Sequence, residues 1–222
     1  MACLLLLMIL AACAASPQDL SGKMFTFPEE TKTANVRLMT ASRNFDAVTV
    51  CLRSITDLSR NHALFSLATK FVSNGFLIFK SPTEDVITLI VNGKSTNFEV
   101  QDYKRNVWHT TCSTWDSASG LVQLWFDGKP SIRKLAGGSN ITEPSVILGQ
   151  EQDTFGGGFN VKQCFTGMIS NVHMWDYILS PCEIQRYVDN LNFTPGNVLN
   201  WRALNFQIGG RVLIEHEQLP CL

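Results

Sequence analysis

The chain reads as a succession of short apolar runs. "VRLMT", "AVTVCL", "ALFSLAT", "GFLIF", "VITLIV", "VWHTTCSTW", "LVQLWFDG", "SVILG" and "RVLIE" follow one another along it, each with the length and the β-branched or aromatic content of a strand. Turn chemistry separates them. "NGKS" (92–95) and "DGKP" (127–130) carry the Asn-Gly and Asp-Gly pairs that favour type I′ hairpins, where both central residues must take positive φ. Val122, Leu124 and Phe126 alternate with Gln123, Trp125 and Asp127, the period-two pattern of a half-buried antiparallel strand.

One segment departs from that period. "SPCEIQRYVDN" (180–190) offers Ser180 as N-cap, Pro181 at the first helical position and Glu183 to complete a capping box. Ile184, Tyr187 and Val188 then share one face, so a short helix should lie on the β body, whose packing must hold it. No internal repeat, low-complexity linker or composition shift divides the chain. The pattern predicts an all-β fold: a two-sheet antiparallel jelly-roll, lectin-like sandwich with one short surface helix.

Composition narrows the classes. With 222 residues, 45% of them hydrophobic and 17% charged, the chain can bury a sizeable core as one domain. Its 18 basic residues balance 19 acids without a basic run, and no nucleic-acid motif appears, which removes nucleic acid as a partner. Residues 1–15, "MACLLLLMILAACAA", are too short to span a bilayer, which takes roughly 20 apolar residues. They fit a secretory signal peptide that lacks the usual basic n-region, with cleavage between Ala14 and Pro17. The expected layout is a signal over 1–16 and a mature domain over 17–222, with no later transmembrane segment. The protein is then secreted and extracellular.

Export changes the meaning of the seven cysteines. Cys3 and Cys13 leave with the signal; Cys51, Cys112, Cys164, Cys182 and Cys221 remain. In an oxidising compartment these should pair, and the odd count leaves at least one over. No CxxC pair suggests a zinc site. Cys51 and Cys112 both lie in strand-like segments, which suits a bridge between two strands, and closing so long a loop contributes ~4 kcal/mol. Cys182 and Cys221 are expected to pair, tying the tail to the helix; a free thiol or an inter-protomer bridge is the alternative. Cys164 is then the odd one, buried as a small apolar residue. Asn140-Ile141-Thr142 and Asn192-Phe193-Thr194 are glycosylation sequons. The first sits in a Gly/Ser-rich loop, whereas Pro195 follows the second.

The candidate chemistry concentrates in "GQEQDTFGGGFNVKQ" (149–163). If the strand before it stays extended, Glu151 and Asp153 point to the same face. Two adjacent carboxylates repel, and a hard cation compensates them. Calcium takes about six to eight oxygens, and Glu151, Asp153, the Gln152 carbonyl, Asn160 and Gln163 could supply them. Glycines 156–158 would let the chain fold back so that late ligands meet early ones. The spacing is not that of an EF-hand. One alternative is a solvated acidic turn. Another is a lectin-like glycoside hydrolase, whose Glu-x-Asp-x-x-Glu strand carries two catalytic glutamates; here the third position is Gly156, so one of the two is missing. There is no Gly-x-Ser-x-Gly elbow or His-Glu-x-x-His motif. The four histidines (62, 109, 173 and 216) show no ligand spacing and read as surface or packed residues. No catalytic residue is assigned.

Taken together, "CSTWDSASGLVQLWFDGKP", "ILGQEQDTFGG", "NVHMWDYILSPCEI" and "NVLNWRAL" resemble the pentraxin family over essentially the whole mature chain. Cys112-Ser113-Thr114-Trp115 keeps the family signature, although His109 stands one residue early and Thr110 holds the histidine position. The resemblance implies a flattened jelly roll, a bridge between Cys51 and Cys112, and a cyclic pentamer. It also implies two calcium ions per protomer near one face, where phosphocholine-type or carbohydrate ligands bind, in the service of innate, acute-phase immunity. The opposite face would engage complement or Fc receptors, with Tyr187 and Asp127 as candidate contacts; packing is the alternative for Tyr187.

Carried over residue by residue, the family's calcium ligands fall on Glu151, Asp153, the Gln152 carbonyl and Gln163. Two acids are replaced. The late acidic ligand falls on Asn160, and the Asp-Asn pair before the "LIF" strand reads Ser73-Asn74. Affinity follows ligand charge, so binding weaker than in the fully acidic pattern is expected, above all at the second site. Leu77 and Phe79 match the apolar wall for a choline methyl group, with a sandwich-core role as the alternative for Phe79. The acid facing the ammonium falls at Ser95, beside Lys94, with no carboxylate before Glu99. Another phosphorylated or sugar ligand could therefore replace phosphocholine. A secreted adhesion module independent of calcium is the remaining alternative.

Overall fold

The computed structural model describes residues 16–41, 44–83 and 85–218; the expected signal segment 1–15 and Cys221 lie outside them. Strands are numbered in chain order among the described residues. One sheet runs β11 (Lys129–Pro130), β10 (Leu121–Phe126), β9 (His109–Asp116), β4 (Ala47–Ile55), β15 (Gly167–Trp175), β1 (Lys23–Phe27) and β17 (Leu213–His216), with β12 (Lys134–Leu135) also pairing with β10. The other runs β16 (Phe206–Gly209), β2 (Asn35–Leu38), β14 (Ser145–Leu148), β5 (His62–Ala68), β6 (Phe76–Lys80), β7 (Val86–Val91) and β8 (Lys94–Glu99). A short pair, β3 (Asn44–Phe45) with β13 (Ile141–Thr142), stands apart. Neighbours pair antiparallel throughout, giving the jelly-roll sandwich expected. No helix among the described residues is long and apolar enough to cross a membrane.

The two predicted hairpins form as their turn residues dictate. Asn92 and Gly93 take φ of 48° and 78°, and Asp127 and Gly128 take 47° and 79°, the positive pair that a type I′ turn requires. Between the sheets lie Phe25, Phe27, Phe65, Phe76, Ile78 and Trp115. Phe25 meets Trp201 and Phe206 edge-to-face at 5.2 and 5.0 Å. Each such buried side chain contributes roughly 1.5–3 kcal/mol over exposure.

A second apolar cluster covers the outside of the first sheet. The helix α1 (Pro181–Val188) lays Ile184 and Tyr187 over Trp125, Trp175 and the Cys51–Cys112 disulfide. The two cysteines are direct cross-strand partners on β4 and β9, which is the bridge the family resemblance implies. Trp125 is consequently only 8% exposed, while Leu121 and Gln123 on the same face of β10 stay half-buried, so the expected alternation holds and the helix covers that face at Trp125. The helix start is also simpler than a capping box. Ser180 Oγ accepts the Glu183 N–H at 3.3 Å, but the Glu183 carboxylate accepts the Thr194 N–H and pairs with Arg186 instead of returning the bond. Tyr187 is buried and its hydroxyl donates to Asn171 O at 2.6 Å. Its side chain packs into this cluster.

Two central strands, β1 and β15, were not anticipated. β15 carries a bulge between Ser170 and His173, with Asn171 at φ 52°. The bulge turns Ile169, Val172 and Met174 to the sandwich core while Trp175 joins the helix-side cluster. His173 packs there on Trp175 and Phe193. Three of the four histidines are buried, His62, His109 and His173. Burial holds His62 and His173 neutral, with pKa values lowered to about 4 and about 3. Among the described residues Cys164 is a buried thiol and Cys182 an exposed one.

Candidate metal centre

The acidic segment is shaped by what its neighbours anchor. β14 is buried along its length, and Gly149 then turns the chain with φ 86°. Only glycine fits there: a Cβ would stand 2.2 Å from the Phe27 ring. Beyond it, glutamines and acids alternate. Gln150 Nε2 donates to Thr31 O and Ala34 O, both at 2.7 Å. Gln152 Nε2 donates to Ser66 O and Ser145 O at 3.0 Å, and Gln152 Oε1 accepts the Gly156 N–H at 2.9 Å. With 150 and 152 committed to the sheet, 151 and 153 share the other face, as extended backbone demands.

Glu151 is 3% exposed, and its Oε2 has no protein partner among the described residues. Burial first, and then the adjacent Asp153 carboxylate, push its pKa up to about 7; the Asn74 side chain hydrogen-bonds it and pulls the other way. Asn74 Oδ1 is also buried without a partner among the described residues. Its backbone is pinned by the β7–β8 turn, where Gly93 N–H donates to Asn74 O at 2.9 Å. Two elements far apart in sequence thus converge: the 69–75 loop before β6 and the 149–163 segment after β14.

The donor set is oxygen-only. Two carboxylates, one of them with an orphaned oxygen, and an orphaned amide oxygen suit a hard cation such as calcium. No group of three or more His, Cys, Asp or Glu side chains gathers among the described residues, so the remaining ligands must be amides, carbonyls or hydroxyls. The 149–163 segment folds back as the glycines suggested: Phe165 N–H donates to Gly149 O at 2.9 Å. Asn160 is exposed, and its Oδ1 caps the turn Val161–Gln163 by accepting the Lys162 N–H at 3.1 Å. Gln163 and Ser73 are half-buried, and no hydrogen bond ties either side chain to the carboxylates.

The candidate ligand wall lies beside this centre, on the outer face of the second sheet. Ser95, Ile90, Leu77 and Ser66 are successive cross-strand partners, about 5 Å apart per strand, and Ser66 holds Gln152. Phe79 points to the same face and is half-buried, so it is not a residue of the sandwich core. Ser95 is exposed two strands away from Leu77. Pattern reasoning missed the anchoring roles of Gln150 and Ser66. The strict Gln-acid-Gln-acid alternation was the available signal. Both sequon asparagines, Asn140 and Asn192, are exposed.

Residues 23–216 match the model of the Pentaxin family. The chain is 42% identical over 219 residues to the C-reactive protein of Sus scrofa, covering 97% of each. It is 39% identical over 199 residues to the serum amyloid P-component of Mus musculus, covering 88% of each. The native heptameric SAP-like pentraxin from Limulus polyphemus superposes with a TM-score of 0.80 at 24% identity, over 89% of this chain and 96% of that one. The last likeness speaks to the fold alone.

Proposed function

The chain belongs to the Pentaxin family, and from that premise we propose that it is a secreted, calcium-dependent pattern-recognition protein of innate immunity, not an enzyme. Its ligands are phosphocholine or related phosphorylated or sugar groups on microbial or damaged-cell surfaces. The observation that carries the reading is the buried Glu151 beside Asp153, with Oε2 of Glu151 and Oδ1 of Asn74 lacking partners among the described residues. Bound calcium would supply the positive charge to which a ligand's oxyanion attaches. Glu151, Asp153, Asn74 and the Gln152 carbonyl hold it, with Gln163, Asn160 and Ser73 as weaker donors. Leu77 and Phe79 give the apolar wall, and Ser95 stands at its far edge.

Residues 1–16 act as a cleaved signal and 17–222 as one domain, carrying a glycan at Asn140. Protomers assemble in a cyclic ring, a pentamer by family precedent, so that weak single-site contacts on one face add to avidity. Complement or Fc receptors are the partners proposed for the other face. Chromatography on phosphocholine resin tests the reading. Retention in calcium with release by EDTA is expected; retention indifferent to EDTA, or none at all on phosphocholine, phosphoethanolamine and carbohydrate resins alike, overturns it.

A further inference from the structure

A cavity of about 300 Å3 opens at the end of β6 remote from Asn74, roughly 20 Å along the strand direction. Leu58 and Ser59 line it from the loop after β4, Lys80 and Pro82 from the end of β6, and Tyr103 and Arg105 from the β8–β9 connection. Its size matches small-molecule pockets. Its back wall is fixed. The Lys80 ammonium donates to Ser81 O and Thr83 O at 2.7 and 2.9 Å and lies 4.5 Å over the Tyr103 ring. On that ring also stacks His109, at 5.0 Å, itself held by Asp127 and Lys104 O. Lys80 therefore serves as a wall, and its charge is not counted as free.

The donors facing the space are uncommitted. The Arg105 guanidinium and the Ser59 hydroxyl make no hydrogen bond or ion pair with the described residues. Tyr103 keeps its phenol proton, because burial pushes its pKa up to about 12. Among the described residues no lining side chain is a carboxylate. We propose that this cavity binds a small organic oxyanion, a carboxylate or phosphate head on an apolar body. The planar guanidinium fork matches two oxygens of such a head. The Ser59 and Tyr103 hydroxyls add donors, and Leu58, Pro82 and the Tyr103 ring face the apolar body. This site lies apart from the calcium centre and does not depend on it.

The test is calorimetric titration of the full chain in EDTA with phenyl phosphate, benzoate and inorganic phosphate. Saturable binding of one molecule per chain is expected for at least one organic anion, tighter than for inorganic phosphate; the stronger of the two identifies the head group. Arg105→Ala should weaken it about tenfold or more, since a charge-assisted bond is lost. Tyr103→Phe, which keeps the ring over Lys80, should weaken it roughly threefold. Glu151→Gln should leave it unchanged. Absence of saturable binding, an Arg105→Ala affinity equal to wild type, inorganic phosphate binding as tightly as the organic anions, or loss on Glu151→Gln would each overturn the proposal.

Discussion

Asp153 stands beside the buried Glu151 carboxyl, and its charge adds to burial in pushing the Glu151 pKa up to about 7, so below that pH Glu151 carries a proton. In the cation-free protein that proton does the work of a metal charge. A cation must displace it, so calcium affinity should fall as pH drops below about 7 and level off above it. Below that pH roughly one proton should leave per ion bound at Glu151. Calorimetry in buffers of different ionisation enthalpy counts it, and a count of zero at pH 6 refutes the assignment. The folding sign is opposite. Between the usual value of 4.5 and about 7 the cation-free native state holds more protons than the unfolded chain, so this group's contribution is lost as pH rises through that window.

The pentraxin resemblance implies an acid at the position of Asn160, whose side-chain oxygen already caps a turn. Asn160→Asp keeps that acceptor and adds a charge. The weaker calcium step should strengthen roughly tenfold with no loss of thermal stability. Wild-type protein showing two equally tight steps, or a variant with unchanged affinity, contradicts the prediction.

Acid stability should depend on buried neutral histidines. His62 bonds Arg60 O through Nδ1, and its Nε2 is buried without a partner among the described residues. Its pKa is lowered to about 4 chiefly by burial. The unfolded chain therefore takes up the proton first, near its ordinary pKa of 6.5. Stability is full above 6.5 and is lost toward about 4, by up to about 1.4 kcal/mol per pH unit for each such group. His173 acts in the same sense. Urea unfolding at pH 7, 5.5 and 4.5 should show a shallower decline in His62→Gln than in wild type; parallel declines would exclude this origin.

The Cys51–Cys112 bridge spans 61 residues and lies under the helix. The double variant Cys51→Ala/Cys112→Ala should lose about 4 kcal/mol in the chain-entropy model, seen as a lowered urea midpoint. A midpoint equal to wild type would show that the sheet registers without it.

The elements legible in the sequence were those with a clean local signal. The 92–93 and 127–128 turns announce themselves because few residues other than Asn, Asp and Gly accept positive φ. The α1 start is visible through Ser180 and Pro181. β15 was not visible, because it is covered on both faces and the bulge at Asn171 shifts its phase. A period-two search fails on such a strand. The period-two pattern of β10 sets Trp125 opposite Val122, Leu124 and Phe126, but nothing in β10 itself says that a helix from residue 181 onward will lie on that face. At the candidate metal centre, Glu151 and Asp153 were legible from one extended stretch. Their meeting with Asn74 depends on the stacking of β5, β6 and β14, a long-range pairing that local pattern does not encode.

Calcium titration of the full chain, stripped with EDTA and run beside Glu151→Gln at pH 7.5, tests the central claim most directly. The account predicts saturable binding in wild type and an affinity reduced about tenfold or more in the variant, with both proteins equally folded by circular dichroism. Saturable binding that survives Glu151→Gln unchanged, or no saturable binding in wild type, would contradict it.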